Sequence, residues 1–208
     1  MPGFNKEIGL AVIGCGAMGR IRATLARDYP GVGWIGLCDI NENLAEKLSA
    51  DIGADYVTAD FKELIERPEV NAVIIATAEN YHYGPAMAAA ARGLSLFIEK
   101  PLATDVKESL AIYEAIEENG VDAVVGYTDR FRRRYLAIKE RIENGQIGEI
   151  HTVVTRAFMN RLVPMAIVGR ASERELLTPM VVSGTHYLDL SFWLIGNKKP
   201  VSVYARSV

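Results

Sequence analysis

Over the first 126 residues, short apolar segments alternate with stretches whose apolar positions recur at helical spacing. The apolar segments predict β-strands at 10–13, 34–38, 56–58, 72–76, 94–98 and 122–126. The stretches between them predict helices at 17–29, 41–52, 60–67, 82–92 and 105–118. Buried strands separated by helices are typical of a parallel sheet that is covered on both faces. The predicted fold class is therefore α/β, with a doubly wound parallel sheet.

The pattern changes in the last third of the chain, where apolar and polar residues alternate as in antiparallel strands. The elements predicted there are helices at 130–144 and 183–195 and strands at 150–158 and 201–208. The predicted organisation is a first domain at 1–126, a connecting helix in 127–148 and a partial α+β domain at 149–208. Two strands and one helix bury a sheet face poorly, so we expect this second domain to be incomplete or covered by a partner.

A glycine-rich turn joins the first predicted strand to the first helix. Gly14, Gly16 and Gly19 are spaced as in a turn that brings the backbone close to a phosphate. Gly19 would let the new helix pack against its strand, and the amides at the start of that helix would face an anion. Because three glycines at this spacing also occur by chance, the turn alone predicts only a phosphate-binding loop in an α/β domain.

An acidic residue stands at the end of the second predicted strand. Asp39 follows Gly19 by 20 positions, the distance at which a carboxylate accepts hydrogen bonds from an adenosine ribose in dinucleotide-binding sheets. The alternative is that Asp39 caps the next helix, since aspartate is a common N-cap residue. A carboxylate at the ribose would repel a 2′-phosphate, so the sequence favours NAD over NADP as the cofactor.

Two later strand ends also carry polar residues. The fourth predicted strand leads into Thr77-Ala78-Glu79-Asn80, and the fifth leads into Glu99-Lys100-Pro101. In open α/β sheets, ligands bind in the crevice outside the carboxyl ends of the strands. These two segments are therefore expected to line that crevice.

Charge and composition narrow the range of partners. Half of the 208 residues are hydrophobic and the net charge is −3, which gives no footprint for nucleic acid or an anionic membrane. The arginines at 130 and 132–134 belong to a predicted helix whose glutamates offset them, which is typical of a solvated face. Neither a membrane span nor a signal segment is evident, so a cytoplasmic protein is expected.

The two cysteines, Cys15 and Cys38, do not have the spacing of metal ligands. Both are expected to be small buried apolar residues without a redox role. No metal site is predicted.

Taken together, these motifs resemble the glucose-fructose oxidoreductase, inositol dehydrogenase and MocA (Gfo/Idh/MocA) family. The motif order matches over nearly the whole chain, and Glu99-Lys100-Pro101 directly after a strand is its most specific part. The residues that carry the resemblance are 14–19, Asp39, Ala76, Thr77, Asn80, His82, 99–103, Arg130, Phe131, 184–186 and Asp189. The resemblance implies an NAD(P)-dependent oxidoreductase of sugars, polyols or inositols. It also implies a second domain with an open, mostly antiparallel sheet that binds substrate and forms homodimers or homotetramers.

The resemblance also implies a set of cofactor-binding residues at the glycine turn, at the acidic strand end and at the two later strand ends. They are Gly14, Gly16, Ala17, Met18, Gly19, Asp39, Ala76, Thr77, Asn80, His82, Glu99 and Lys100. For His82, the alternative is a place at the start of a helix near the crevice without a part in the chemistry.

Two catalytic residues are implied by the same resemblance. Lys100 would lie beside the nicotinamide and the substrate hydroxyl, where it could orient the oxygen, stabilise its negative charge or act as a base if desolvated. His186 corresponds to a family histidine under the active site, and a neutral imidazole can accept the hydroxyl proton. The alternatives are a solvated surface lysine at 100 and a core histidine at 186 that packs with Leu190 and Trp193.

One position departs from the family pattern. Family dehydrogenases often carry an aspartate four residues before the histidine, whereas this chain has Val182, which cannot exchange a proton. Two hypotheses therefore stand: an NAD-dependent oxidoreductase, or a dinucleotide-binding protein without catalysis, either a sensor or a truncated remnant. Tyr127 and Arg130 could line the cleft or be structural, and His151 is expected to be structural.

Overall fold

The computed structural model describes residues 7–158, 160, 162, 165, 178, 180–196 and 198–206. The chain divides into two units, Met1–Gly126 and Tyr127–Val208. Among the described residues, no helix has both the length and the apolar character that crossing a membrane would require.

The first unit is built on one six-stranded sheet. Its strands are β1 (Ile8–Ile13), β2 (Val32–Cys38), β3 (Tyr56–Thr58), β4 (Ala72–Ile75), β5 (Ser95–Ile98) and β6 (Ala123–Val125). All neighbouring strands run parallel, in the order β3-β2-β1-β4-β5-β6. This order is that of the Rossmann fold, in which β1 and β4 mark the point where the direction of winding reverses. The predicted doubly wound parallel sheet is confirmed.

Helices connect the strands of this unit and begin and end close to their predicted limits. They are α1 (Ala17–Arg27), α2 (Glu42–Ile52), α3 (Phe61–Ile65), α4 (Tyr83–Ala91) and α5 (Val106–Asn119). Local chemistry sets the ends. The Asp105 side chain accepts hydrogen bonds from two amides in the first turn of α5, and Gly120 ends that helix in the left-handed conformation.

Successive side chains of the central strands point to opposite faces of the sheet and form two apolar cores, one on each face. Leu10 and Val12 of β1 belong to the core that also contains α1 and α2 residues such as Ala23 and Leu48. The intervening residues of β1 belong to the other core, with side chains of α3, α4 and α5. Helices therefore cover both faces of the sheet.

The second unit contains α6 (Arg133–Glu143), a π-helical turn (Met180–Gly184) and α7 (Thr185–Leu194), close to the two predicted helices. The strand predictions in this unit are wrong for the residues described: 150–158 and 201–206 form no strand, and 151–158 are exposed. Residues 207 and 208 lie outside the described part. A strand needs a partner for its backbone N–H and C=O groups, and the described residues of this unit provide no such partner.

Candidate active site

The hydrogen bonding of the sheet continues one residue beyond five of its strands. Five residues thereby stand side by side along the carboxyl edge: Asp39, whose N–H donates to the Thr58 carbonyl at 3.3 Å; Gly14, which donates to Cys38 at 2.7 Å; Ala76, which donates to Ile13 at 2.8 Å; Glu99, which donates to Ile75 at 2.9 Å; and Gly126, which donates to Ile98 at 2.7 Å. The glycine turn and the Glu99-Lys100-Pro101 segment are therefore separated only by the Ala76-Thr77 backbone.

The glycine turn has no room for side chains at two of its positions. Gly14 has a φ of +94°, and a Cβ there would lie 2.6 Å from the backbone of Ala76 and Thr77. A Cβ on Gly19 would lie 1.8 Å from the carbonyl oxygen of Gly14. At Gly16, by contrast, a Cβ would meet nothing within 4 Å. The three glycines therefore have different roles, with two required for packing and one facing open space.

The open side of the turn suits an anion. Gly16 is the N-cap residue of α1, so the first amides of the helix follow it and have no intrahelical acceptor. The first turn of α1 contains no acidic residue. A phosphate group would therefore meet unpaired N–H donors and the positive end of the helix dipole, with no carboxylate in the first turn of that helix.

Asp39 faces this same turn. Its Oδ2 accepts a hydrogen bond from the Cys15 N–H at 2.8 Å, and its Oδ1 accepts one from the Asn41 N–H at 2.9 Å. The N-cap residue of α2 is Asn41, so the alternative that Asp39 caps this helix is wrong. A half-buried carboxylate held against a phosphate-type loop fits the ribose end of a dinucleotide.

Glu99 has a partner that sequence reasoning did not identify. Arg22, on α1, donates to Glu99 Oε1 from Nε at 2.8 Å and from Nη2 at 2.7 Å. The two side chains are 18% and 8% exposed, and the guanidinium carbon lies 4.8 Å from the centre of the Phe97 ring. The ion pair ties the helix after the glycine turn to the residue before Lys100. An arginine within an amphipathic helix carries no motif signal that would have indicated this.

Replacing Arg22 by methionine is expected to lower the free energy of unfolding by about 3–5 kcal/mol, because it leaves the buried Glu99 carboxylate without its counter-charge. Urea unfolding followed by circular dichroism measures the loss. The double variant Arg22→Met, Glu99→Gln should recover part of it, since no charge then remains buried. If the double variant were less stable than Arg22→Met alone, an unpaired charge at Glu99 would not be the cause.

The other predicted cofactor residues lie along the same edge. Ala17 and Met18 are exposed at the start of α1, Ala76 is buried, and Thr77, Asn80 and Lys100 are half-buried. His82 is 1% exposed. Its Nδ1 lies 2.8 Å from the Pro101 carbonyl oxygen and its Nε2 lies 3.3 Å from that of Thr77. The first unit thus brings the sequence-predicted residues to one edge, with His82 beneath it.

A family model described as "Oxidoreductase family, NAD-binding Rossmann fold" (GFO_IDH_MocA) matches residues 8–127. The chain belongs to the Gfo/Idh/MocA family. The resemblance inferred from the motifs is confirmed, and residues 8–127 are the NAD-binding Rossmann domain of this family.

Similar proteins of the family include inositol dehydrogenases. The chain is 34% identical over 147 residues to scyllo-inositol 2-dehydrogenase (NAD(+)) of Bacillus subtilis, covering 70% of this chain and 43% of that protein. It is 32% identical over 194 residues to inositol 2-dehydrogenase of Gluconacetobacter diazotrophicus, covering 90% of this chain and 54% of that protein. The chain therefore spans about half the length of these curated relatives.

A solved inositol dehydrogenase structure shares the fold. Scyllo-inositol dehydrogenase from Lactobacillus casei, determined with bound NAD(H) and scyllo-inositol, matches with a TM-score of 0.77 and 21% identity, over 92% of this chain and 57% of that chain. The fold is therefore one that holds NAD(H) in that protein.

The predicted catalytic histidine of this chain, His186, lies on α7 in the second unit. His186 is half-buried, and its ring meets that of Tyr127 edge to face, with centroids 6.0 Å apart. The Tyr127 hydroxyl lies 2.7 Å from Thr185 Oγ1, and Arg130 donates from Nε to Asp189 Oδ2 at 2.8 Å. Of the alternatives for Tyr127 and Arg130, these contacts with α7 favour structural roles.

Two other residues of the second unit bear on the sequence predictions. Val182 is 5% exposed and lies in the π-helical turn before α7. It adds an apolar side chain where family dehydrogenases often have a carboxylate. His151 is exposed and lies in no strand, contrary to the strand predicted around it.

The two cysteines are buried and form no disulfide with each other. Burial, together with the nearby negative charge of Asp39, raises the pKa of the Cys15 thiol to about 12, and burial also raises the pKa of Cys38 to about 12. Both thiols therefore stay protonated at neutral pH, and a thiolate is the nucleophilic form. Within the described ranges, no group of three residues is arranged to hold a metal ion.

Proposed function

We propose that this chain functions as an NAD-dependent oxidoreductase that transfers hydride between the nicotinamide and a secondary alcohol of a sugar, polyol or inositol-type ring. The observation that carries the proposal is the position of Lys100. It follows Glu99 directly. Glu99 is hydrogen-bonded to β4, and β4 pairs with β1, the strand that leads into the glycine turn. A lysine two strands from a dinucleotide loop stands where open α/β sheets bind their ligands. The relatives named as inositol dehydrogenases support the substrate class.

The site residues fit a dinucleotide in three respects. The turn at Gly14 and Gly16 with the start of α1 would hold the pyrophosphate, Asp39 would accept hydrogen bonds from the ribose hydroxyls, and Thr77 would lie toward the nicotinamide half. When bound, NAD supplies the acceptor for the hydride. The protein then has to orient the alcohol and manage the charge and proton on its oxygen.

Lys100 is suited to that second task. A lysine ammonium is a compact donor that stabilises negative charge developing on the hydroxyl oxygen, and its half-buried position strengthens this effect relative to open water. The proton itself needs a base whose pKa is near the working pH, and His186 is the candidate that the family resemblance supplies. Alcohol oxidation is then complete: hydride leaves carbon, and the proton leaves oxygen.

The test is a substrate screen with NAD⁺ and the intact chain, using myo-inositol, scyllo-inositol, linear polyols and aldoses. NADH formation is followed by absorbance, and the Lys100→Met variant serves as the blank. We expect turnover with at least one cyclic polyol that the blank lacks. Binding of NAD without turnover of any compound in the panel would reject the oxidoreductase proposal for this chain.

A second candidate is a dinucleotide-binding protein without catalysis, and the specific observation in its favour is Val182. This buried valine cannot take part in proton transfer at a position where an aspartate often stands in the family's dehydrogenases. The two candidates make different predictions for the wild-type chain when NAD and a polyol are supplied. An oxidoreductase should already turn over polyols with valine present, whereas a non-catalytic binder should respond only in melting temperature when NAD is added.

Cofactor choice gives a separate prediction. NAD is expected to raise the melting temperature more than NADP at equal concentration, because Asp39 would repel a 2′-phosphate. The Asp39→Asn variant keeps the size of the side chain and an acceptor for the Cys15 amide but removes the charge. Its preference for NAD over NADP should fall by about tenfold, equivalent to about 1.4 kcal/mol, as measured by calorimetric titration. A wild-type chain that binds both equally well would contradict the role of Asp39.

The remaining proposals concern assembly. We infer that the second domain forms an open, mostly antiparallel sheet in the whole protein and that homodimers or homotetramers form through it. The support is the resemblance to the family, together with the exposed Val153 and Val154, which are 44% and 76% accessible and would need cover. Light scattering of the whole protein tests the oligomeric state. A cytoplasmic location likewise stays a prediction.

A further inference from the structure

We propose that His82 is a positioning residue that fixes the backbone on which Lys100 stands. The inference rests on the proposed function, since it takes Lys100 as the catalytic lysine. It differs from the sequence-based assignment of His82 to the cofactor, because the ring would act through the protein backbone.

The first observation is that His82 stands at the start of α4 but does not cap that helix. It occupies the N-cap position of α4, yet its side chain makes no capping hydrogen bond, and its φ of −72° and ψ of −34° are already helical. The ring is instead turned into the protein and is almost fully buried, with 1% exposure. A buried imidazole needs hydrogen-bonding partners, and its partners are not those of the helix start.

The second observation is the identity of those partners. Nδ1 lies 2.8 Å from the Pro101 carbonyl oxygen, and Nε2 lies 3.3 Å from the Thr77 carbonyl oxygen. Thr77 is on the segment that leaves β4, and Pro101 is on the segment that leaves β5. The ring therefore lies against both of the strand exits that flank the predicted nicotinamide side of the site.

Carbonyl oxygens can only accept, so the ring N–H must donate, and the shorter contact identifies Nδ1–H to Pro101 as the principal hydrogen bond. Pro101 has no N–H of its own, so its carbonyl is the one backbone polar group by which this residue can be held. Pro101 is also buried, and an unpaired carbonyl there would be costly. His82 thus supplies the donor that this turn needs.

The consequence for Lys100 comes from what lies on each side of it. The preceding Glu99 is held by the hydrogen bond from its N–H to the Ile75 carbonyl oxygen and by the Arg22 ion pair. The following Pro101 is held by His82. Lys100 therefore stands between two backbone anchors that come from different elements. A catalytic group displaced by about 1 Å can lose about 10²-fold in rate, so the anchor after Lys100 matters for turnover.

The experiment uses a matched set of variants in the intact chain. Asparagine at 82 can place its amide nitrogen near the position of Nδ1 and keep the bond to Pro101. Glutamine places its nitrogen near Nε2, toward Thr77, and leucine removes both ring nitrogens. We expect His82→Asn to keep kcat within about fivefold, whereas His82→Gln and His82→Leu lose about 10²-fold in kcat. The KM for NAD should stay within about twofold in all three, because the glycine turn and Asp39 are untouched.

A second readout works without turnover. The lysines are labelled by reductive ¹³C-methylation, and the Lys100 signal is identified by its absence in Lys100→Arg. Its chemical shift and pH titration should resemble the wild type in His82→Asn and differ in His82→Gln and His82→Leu. If wild type turns over no polyol while Lys100 responds in this way, the proposed function fails and the positioning role stands.

Other outcomes would overturn the positioning role itself. Equal losses in the asparagine and glutamine variants, or a loss that appears in KM for NAD rather than in kcat, would show a general structural role for the ring. Unchanged kcat and an unchanged Lys100 signal in His82→Gln would show that the ring does not position Lys100. Circular dichroism establishes folding, and if the leucine variant fails to fold, the asparagine and glutamine pair still decides.

Discussion

Alanine in place of Gly19 is expected to lower the free energy of unfolding by about 3 kcal/mol or more and to abolish NAD binding. The added Cβ would lie 1.8 Å from the Gly14 carbonyl oxygen, and no side-chain rotation can move a Cβ. The start of α1 would have to shift away from β1, and overpacking of this kind costs about 1–3 kcal/mol even where side chains can adjust. Urea unfolding and the NAD-induced rise in melting temperature measure the two effects.

Gly16→Ala provides the matched control in the same turn. A Cβ there meets no atom within 4 Å, and the residue has a φ of −66° that any amino acid adopts. Its stability should change by less than about 1 kcal/mol, as for other glycine-to-alanine changes at an N-cap. Its affinity for NAD should nevertheless fall, because the new methyl group would stand where the phosphate approaches. Equal destabilisation of both variants would contradict the division of roles among the glycines.

Replacing Lys100 by methionine is expected to lower kcat by about 10³-fold while the affinity for NAD changes by less than about threefold. Methionine keeps much of the apolar length of the side chain but removes the charge that would stabilise the alkoxide, and such groups contribute about 10²–10⁴-fold. The NAD contacts assigned to the glycine turn and Asp39 are unaffected. Steady-state kinetics with the best substrate of the screen, and calorimetry with NAD, provide the two numbers.

The control for this substitution is Lys107→Met, in the exposed first turn of α5. It removes the same charge from an exposed position of the same unit to which no cofactor or substrate contact is assigned, so its kinetics should match those of the wild type. A Lys100→Met variant that kept more than a tenth of the wild-type kcat would rule out Lys100 as the group that stabilises the reacting oxygen.

The first unit was largely predictable because its signals are local. Each buried strand is a short apolar run, and each helix has its own apolar face. Glycines mark the turn after β1, and Asp39 lies directly at a strand end, so its position near that turn follows from parallel pairing. Strand predictions failed at 150–158 and 201–206, because alternation shows that a segment suits a sheet but cannot supply the neighbouring strand.

The candidate site was predictable in part. The sequence identified the residues that leave each strand, since the carboxyl ends of parallel strands meet at one edge. It did not identify Arg22 as the partner of Glu99, 77 positions away, nor the Thr77 and Pro101 carbonyls as the partners of His82. These contacts depend on how α1 and α4 lie against the sheet, and helical spacing alone does not fix that arrangement.

The sequence by itself determined the α/β class, the order of the elements, the glycine turn, the acidic strand end and membership of the Gfo/Idh/MocA family. These features follow from residue type and spacing along the chain. The tertiary structure decided which glycines are sterically required, that Asp39 does not cap α2, and that the backbone around Lys100 is anchored from both sides. Those decisions depend on distances of a few ångströms between segments remote in sequence, which only the packed fold sets.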